Sequence, residues 1–142
     1  MREILFKAKQ VGDDEWVEGY YQKRYNFLGN EEHLIFHVDS HTVWECTEIN
    51  LETLCQFTGL CDRYGNKIWE NDILKTWSGE YAQVKFGFYG TGFASGDYNQ
   101  GFYAAFPEDF YYRHELGYWC KETYVRGNIF DNPELLQEES NE

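Results

Sequence analysis

Three histidines stand four residues apart, a spacing that on a helix would place them on one face and could form a metal site. They are His33, His37 and His41. Residues 34–38 alternate in the pattern of a strand, however, and in a strand positions four apart lie about 13 Å from each other. Two ligands that far apart cannot share one ion. We therefore interpret the histidines as solvent-facing strand residues, predict no metal site, and leave open a pairing of His41 with Cys46 across a hairpin.

Paired carboxylates are the second feature that could support chemistry, as a general acid and its base. The pairs are Glu31 with Glu32, Glu70 with Asp72, and Glu108 with Asp109. In a chain with 25 Asp and Glu residues such pairs arise by chance, and catalysis also requires a pKa raised by burial. Ser78 and Ser95 lack the strand–turn–helix context of a nucleophile elbow, and no Lys of a phosphate-binding loop follows Gly90-Thr91-Gly92. We therefore predict a non-enzymatic protein without a cofactor or a small-molecule substrate.

The cysteines indicate a reducing compartment. They are Cys46, Cys55, Cys61 and Cys120, and no pair has the Cys-x-x-Cys spacing of a zinc knuckle or a redox loop. Residues 1–7 contain a short apolar stretch that ends at a charged residue, without the apolar region and cleavage site of a signal peptide. No apolar run approaches the ~20 residues that cross a bilayer. We therefore expect reduced thiols in a cytoplasm and no membrane segment.

The overall charge is strongly negative. Twelve Lys and Arg residues stand against 25 Asp and Glu residues, which gives a formal net charge of −13 in 142 residues. This balance argues against a protein that coats phosphate backbones, because that affinity comes from Lys and Arg displacing counterions. Aromatic residues make up 20% of the chain, which argues against intrinsic disorder. The sequence thus predicts a folded, acidic domain.

Aromatic residues interleaved with glycines fill residues 87–106, where the sequence predicts either a long mobile loop or a hairpin with a wide tip. The candidate partner-contact residues are Phe88, Tyr89, Phe93, Tyr98, Phe102 and Tyr103. Exposed aromatic surface is typical of protein contacts, and the alternatives are packing over the end of a barrel or against a second copy. By contrast, we expect most of five other aromatic residues in the core of a small β domain: Trp16, Trp44, Trp69, Phe86 and Tyr124.

Alternation of apolar and polar residues predicts a mainly β fold of about eight short strands with one or two short helices. Strands are expected at residues 4–9, 16–21, 34–38, 42–46, 68–75, 82–86 and 118–125. Residues 49–60 fit either a helical turn capped by Asn50 or an extended segment. Pro107 and Pro133 each suit the first position of a short helix. Asp72 is expected to accept hydrogen bonds from the backbone of the turn before it.

Three blocks of the sequence resemble the YopX-like proteins of phages and prophages. They are residues 1–7 with 16–20, residues 56–73, and residues 127–136. The chain departs from the family pattern at Cys55 and Asn71, where the family usually has Gly. Asn71 can still hold the left-handed backbone conformation that Gly would supply.

The resemblance implies an origin in a phage or prophage, and hence the cytoplasm of a bacterial host. It also implies a mostly β fold whose second part is a small SH3-like barrel, and it brings no established activity. With the turn at residues 62–67 as the seam, we predict an N-terminal β subdomain at 1–66, an SH3-like subdomain at 67–136 and an acidic tail at 137–142.

Three hypotheses for the function follow. The first is a module for protein interaction or self-association, whose partner is a host or phage protein or a second copy. The second is a small β-barrel that binds single-stranded nucleic acid through stacked aromatics, which the net charge disfavours. It requires five cations to converge on one face: Lys75, Lys85, Arg113, Lys121 and Arg126. The third is an acidic mimic of DNA that inhibits a host protein.

Overall fold

The computed structural model describes residues 4–38, 41–90, 98–107, 111 and 113–137. The described residues form ten strands in two antiparallel sheets, together with short helical segments, which confirms the mainly β fold. The chain divides into two units, Met1–Phe57 and Thr58–Glu142. The sequence-based division at residues 66 and 67 stays a prediction.

The first unit holds a sheet with the strand order β4-β3-β2-β1-β5. Its elements are β1 (Phe6–Lys9), β2 (Trp16–Tyr25), β3 (Glu31–Val38), β4 (Trp44–Glu48), a 3-10 turn (Leu51–Thr53) and the first residues of β5 (Cys55–Cys61). The core of this unit is formed by Ala8, Val17, Ile35 and Ile49. Both interpretations of residues 49–60 hold in succession, because the side chain of Asn50 caps the turn and a strand follows it.

The second unit contains the remainder of β5, which neighbours β6, and a four-stranded sheet in the order β10-β7-β8-β9. Its elements are β6 (Lys67–Trp69), β7 (Asp72–Thr76), β8 (Tyr81–Gly90), β9 (Tyr98–Ala105), α1 (Leu116–Trp119), β10 (Thr123–Asn128) and α2 (Glu134–Gln137). Within the described residues β9 and β10 are the two edges of the four-stranded sheet and do not pair. This sheet is therefore open, and the barrel that the resemblance implied is not closed.

Two predicted strands differ in the structure. The predicted strand at 68–75 is two strands, β6 and β7, separated by a tight turn. The predicted strand at 118–125 starts as helix α1, and extended structure begins only at Thr123. A helical turn brings Leu116 and Trp119, three residues apart, into buried positions together. The second predicted helix is confirmed as α2, whereas most of the turn predicted from Pro107 lies outside the described residues.

The turn between β6 and β7 has the backbone geometry expected from the sequence. Asn71 has φ of 71°, in the left-handed region that favours Gly and Asn. Its backbone N–H donates to the carbonyl of Val84 at 2.8 Å. The backbone N–H of Trp69 donates to Oδ2 of the buried Asp72 at 2.8 Å, as predicted. The carboxylate of Asp72 thus stabilises the turn by accepting a backbone hydrogen bond.

We expect Asn71→Ala to be about 1–2 kcal/mol less stable to urea than Asn71→Gly, because a Cβ in the left-handed region carries that cost and glycine avoids it. Both variants lose the hydrogen bond between the side chains of Gln83 and Asn71, so the difference between them isolates the backbone. Equal unfolding midpoints for the two variants would contradict this account.

Candidate functional site

Strands β8 and β9 form a long two-stranded ribbon in the second unit. They pair continuously from Gln83 opposite Ala105 to Gly90 opposite Tyr98. Of the two interpretations of this region, the hairpin is therefore the one that the described residues adopt. Because side chains alternate across a strand, the ribbon has two distinct faces.

One face of the ribbon leaves the core and becomes exposed. It starts at Val84 and Ala104, which are opposite each other and fully buried. Two residues further along are Phe86 and Phe102, whose rings meet edge to face at 5.0 Å between centroids. The same face thus continues as an aromatic surface after the buried layer ends.

We call Phe86, Phe88, Tyr98 and Phe102 the aromatic face. Phe86 is 53% exposed, Phe88 72% and Tyr98 66%. These large rings are therefore exposed to water, although the same face of the ribbon begins with the core residues Val84 and Ala104. A ribbon that projects beyond its core gives this arrangement, because nothing in the described residues covers the continuation of the face.

The opposite face of the ribbon carries two tyrosines that lie over glycines. The rings of Tyr89 and Tyr103 are 5.5 Å apart between centroids. A Cβ added at Gly87 would lie 3.8 Å from the Tyr103 ring, and one at Gly101 would lie 4.0 Å from the Tyr89 ring. The glycines therefore leave the flat surface on which the tyrosine rings rest.

An open groove of about 230 Å³ runs beside this second face. It is lined by Phe88, Tyr89, Gly90, Tyr103, Ala105, Phe106 and His114. The backbone N–H of Ala104 donates to the carbonyl of His114 at 2.9 Å, so the segment that carries His114 is fixed along the edge of β9. The groove is mostly aromatic and has room for about one side chain.

The ribbon carries little charge. Lys85 is the single charged residue in β8 and β9, in a chain of which 26% is charged. The aromatic face is therefore neutral on a strongly acidic protein.

The six predicted contact residues do not form one surface. Phe88, Tyr98 and Phe102 lie on the aromatic face, and Tyr89 and Tyr103 lie on the opposite one. Phe93 lies outside the described residues.

Two of the residues predicted in the core are exposed. The prediction was wrong for Phe86, which has the same strand parity as Phe88 and lies with it on the aromatic face. That parity was the signal in the sequence. Trp44 of the edge strand β4 is exposed as well, whereas Trp69 is buried as expected.

His33 and His37, two of the three evenly spaced histidines, contact neighbouring side chains. His33 and His37 lie on β3, as predicted, but they are half-buried and not open to solvent. Nδ1 of His33 is 2.7 Å from the hydroxyl of Tyr21, and Nε2 of His37 is 2.7 Å from Oγ1 of Thr47. No group of three potential metal ligands occurs in the described parts of the chain.

Other ionisable groups are held by local structure. A hydrogen bond from Thr76 keeps the pKa of Glu80 below its ordinary value, and burial raises the pKa of Tyr111. Burial also raises the pKa of the Cys120 thiol, which lowers its nucleophilicity at neutral pH. The four cysteines, all of them described, form no disulfide. None of the described helices is both long and apolar enough to span a membrane.

Fold and site together define a mainly β protein that extends an aromatic two-stranded ribbon beyond its core. The family described as YopX protein matches residues 5–137, and the chain belongs to this family. A crystal structure of protein EF1440 from Enterococcus faecalis is also similar. It is 20% identical, has a TM-score of 0.47, and the match covers 96% of this chain and 99% of that chain. No curated protein matches the chain significantly.

Proposed function

We propose that this YopX-family chain is a non-enzymatic interaction module of a phage or prophage, and that it works in the cytoplasm of the bacterial host. The aromatic face of the β8–β9 ribbon contacts another protein. The observation that carries this proposal is the exposure of Phe86, Phe88 and Tyr98 on a face whose first residues are core.

The energetics favour a covered aromatic face. Burying an exposed Phe side chain away from water is favourable by roughly 1.5–3 kcal/mol of free energy. Contiguous exposed apolar patches also mark contact sites. Aromatic residues are also enriched among those that dominate binding energy. Phe88 and Tyr98 are the most exposed members of the aromatic face and are its natural anchors.

The charge distribution favours a protein partner at this face. The centres of protein interfaces are depleted of charged residues, and Lys85 is the one charged residue of the two strands. Lys85 is opposite Tyr103, on the other face of the ribbon, so the described strands place no cation among the rings of the aromatic face to bind a phosphate. The described strands of the ribbon also carry no carboxylate that could imitate phosphates. The ribbon therefore suits neither a nucleic acid nor mimicry of one.

We expect Phe88→Ala and Tyr98→Ala each to weaken the partner complex by about tenfold or more, because each removes a ring from the centre of the contact. Phe27→Ala is the matched control: Phe27 lies in the β2–β3 turn, is 97% exposed, and is outside the aromatic face. Light scattering measures self-association, and capture from a bacterial lysate with mass spectrometry measures binding of a different protein.

The proposal requires one species that wild type and Phe27→Ala both bind and that Phe88→Ala and Tyr98→Ala lose. A second copy would satisfy it as a concentration-dependent dimer with the same variant pattern. The proposal is overturned if all four proteins capture the same species equally. It is also overturned if the wild type is a monomer and captures no protein from the lysate.

A further inference from the structure

A second exposed aromatic cluster lies in the same unit, in the turns after β5 and β7. The guanidinium of Arg63 stands 4.0 Å above the centre of the Trp77 ring and 5.5 Å from the centre of the Tyr64 ring. Trp77 is 61% exposed and Tyr64 62%. We call these three residues the Arg63 stack.

Hydrogen bonds fix the backbone of the turn that carries Arg63 and Tyr64. The carboxylate of Asp62 accepts hydrogen bonds from the backbone N–H groups of Tyr64 and Val125, each at 2.9 Å. The backbone N–H of Arg63 donates to the carbonyl of Thr123 at 3.3 Å. The turn is thereby joined to strand β10, so Arg63 and Tyr64 start from a fixed backbone.

A further ring and a cation lie beside the Arg63 stack in the sheet. The Tyr64 ring is 5.9 Å from the Tyr124 ring, and Tyr124 is opposite Lys75 in the β10–β7 register. Nζ of Lys75 stands 5.4 Å above the ring of Tyr81, which is itself buried. The half-buried Tyr124 and Lys75 therefore place one more ring and one more cation beside the exposed rings of the turn.

The local charge differs from that of the whole chain. Residues 58–81 and 119–128 contain five basic and five acidic residues and are neutral overall, whereas the chain as a whole carries −13. Two of those acids, Asp62 and Asp72, are buried, and each accepts backbone hydrogen bonds. Arg63 makes no ion pair with a carboxylate of the described residues, so its N–H groups remain available.

We propose that the Arg63 stack binds single-stranded nucleic acid. A base lies on the exposed face of Trp77 or Tyr64, and the N–H groups at the edge of the Arg63 guanidinium bind the adjoining phosphate. Stacking on aromatic side chains accepts any base, because every base has a π-face. An acidic peptide would use the guanidinium but has no ring for the Trp77 face, whereas a nucleotide uses both.

This site differs from the cation convergence that the sequence suggested. Arg113 forms an ion pair with Glu115, and Lys85 lies on the ribbon. Lys75 is opposite Tyr124, and Lys121 and Arg126 flank Tyr124 in the sequence. Arg63, which was not among the five predicted cations, stands over the two exposed rings of this site.

The test is fluorescence anisotropy of a labelled twelve-residue oligothymidine with the full chain, from 20 to 200 mM salt. We expect Trp77→Ala to weaken binding roughly tenfold or more, as stacking of one base predicts. Arg63→Ala should lower the steepness of the salt dependence by about 0.7 in log–log slope, because one phosphate contact is lost. Arg63→Lys keeps the charge and should keep the slope while it loses affinity.

Trp44→Ala is the matched control, since Trp44 is 60% exposed and lies in the other unit; its binding should equal wild type. Phe88→Ala should also bind the oligonucleotide normally, which separates this site from the ribbon. The inference is overturned if wild type does not bind at 20 mM salt, or if Trp77→Ala and Trp44→Ala bind equally. A twelve-residue polyglutamate peptide that competes at equal concentration would also overturn it.

Discussion

Replacing Gly19 by alanine is expected to cost about 3 kcal/mol or more, because the new Cβ has no space. Gly19 lies in β2, where it is opposite Phe6 of β1. A Cβ at this position would lie 2.1 Å from the carbonyl oxygen of Phe36 and 2.9 Å from Cγ2 of Ile35. The carbonyl belongs to the backbone of β3, so the clash is relieved only if the β2–β3 pairing moves.

Urea unfolding followed by circular dichroism measures the effect of Gly19→Ala. Gly90→Ala is the control, since Gly90 is also a strand glycine and a Cβ added there would have no atom within 4 Å; we expect a change within about 0.5 kcal/mol. A Gly19→Ala variant within about 1 kcal/mol of wild type would show that β3 shifts at little cost.

Replacing Asp62 by alanine is expected to cost about 3 kcal/mol, because it removes a buried carboxylate that fixes two segments of the chain. The carboxylate accepts from the backbone N–H groups of Tyr64, Asn66 and Val125, each at 2.9 Å. It also accepts from Nδ2 of Asn66 at 3.3 Å. Without the carboxylate, the Val125 and Asn66 donors lose their partner in a partly buried place.

The pH dependence of stability should change with Asp62. Burial alone would raise the pKa of Asp62, but the backbone hydrogen bonds from Val125, Asn66 and Tyr64 outweigh it and hold the pKa below its ordinary value. The folded state therefore binds this proton more weakly than the unfolded chain. The stabilisation is fully present above the unfolded pKa and is lost as the pH falls from about 4 through the folded pKa.

Urea midpoints between pH 7 and pH 2.5 measure both effects. The difference between wild type and Asp62→Ala should be largest at neutral pH and should shrink in acid. Asp13→Ala is the control, because Asp13 also accepts a turn N–H, that of Glu15 at 3.0 Å, but is exposed; we expect about 0.5 kcal/mol. A constant difference across the pH range would contradict the assignment to the ionised carboxylate.

Much of the fold could be predicted from local patterns. The strands of the first unit follow the alternation of residues 4–9, 16–21 and 34–38, because a half-buried strand needs one apolar face. The left-handed backbone at Asn71 and the acceptor role of Asp72 could also be predicted, since turns favour these residue types, although residues 68–75 were predicted as one strand. Helix α1 was missed because four residues are too few to show a helical period.

The candidate sites depended on facts that alternation does not contain. Glycine-spaced aromatics predicted a contact surface near residues 87–106, yet parity alone divides them between two faces. The Arg63 stack could not be predicted at all, because Arg63 and Trp77 come from different turns. The guanidinium of Arg63 lies over the Trp77 ring in a turn that Asp62 joins to β10.

By itself, the sequence determined the strand-rich fold, the acidic surface and the family, because alternation, charge and turn residues are properties of neighbours along the chain. The tertiary structure decided which aromatic residues are exposed and which cations stand over aromatic rings. Burial depends on what covers a face, and the covering segments are distant in sequence, so Val84 is core while Phe86, two residues later, is open to solvent.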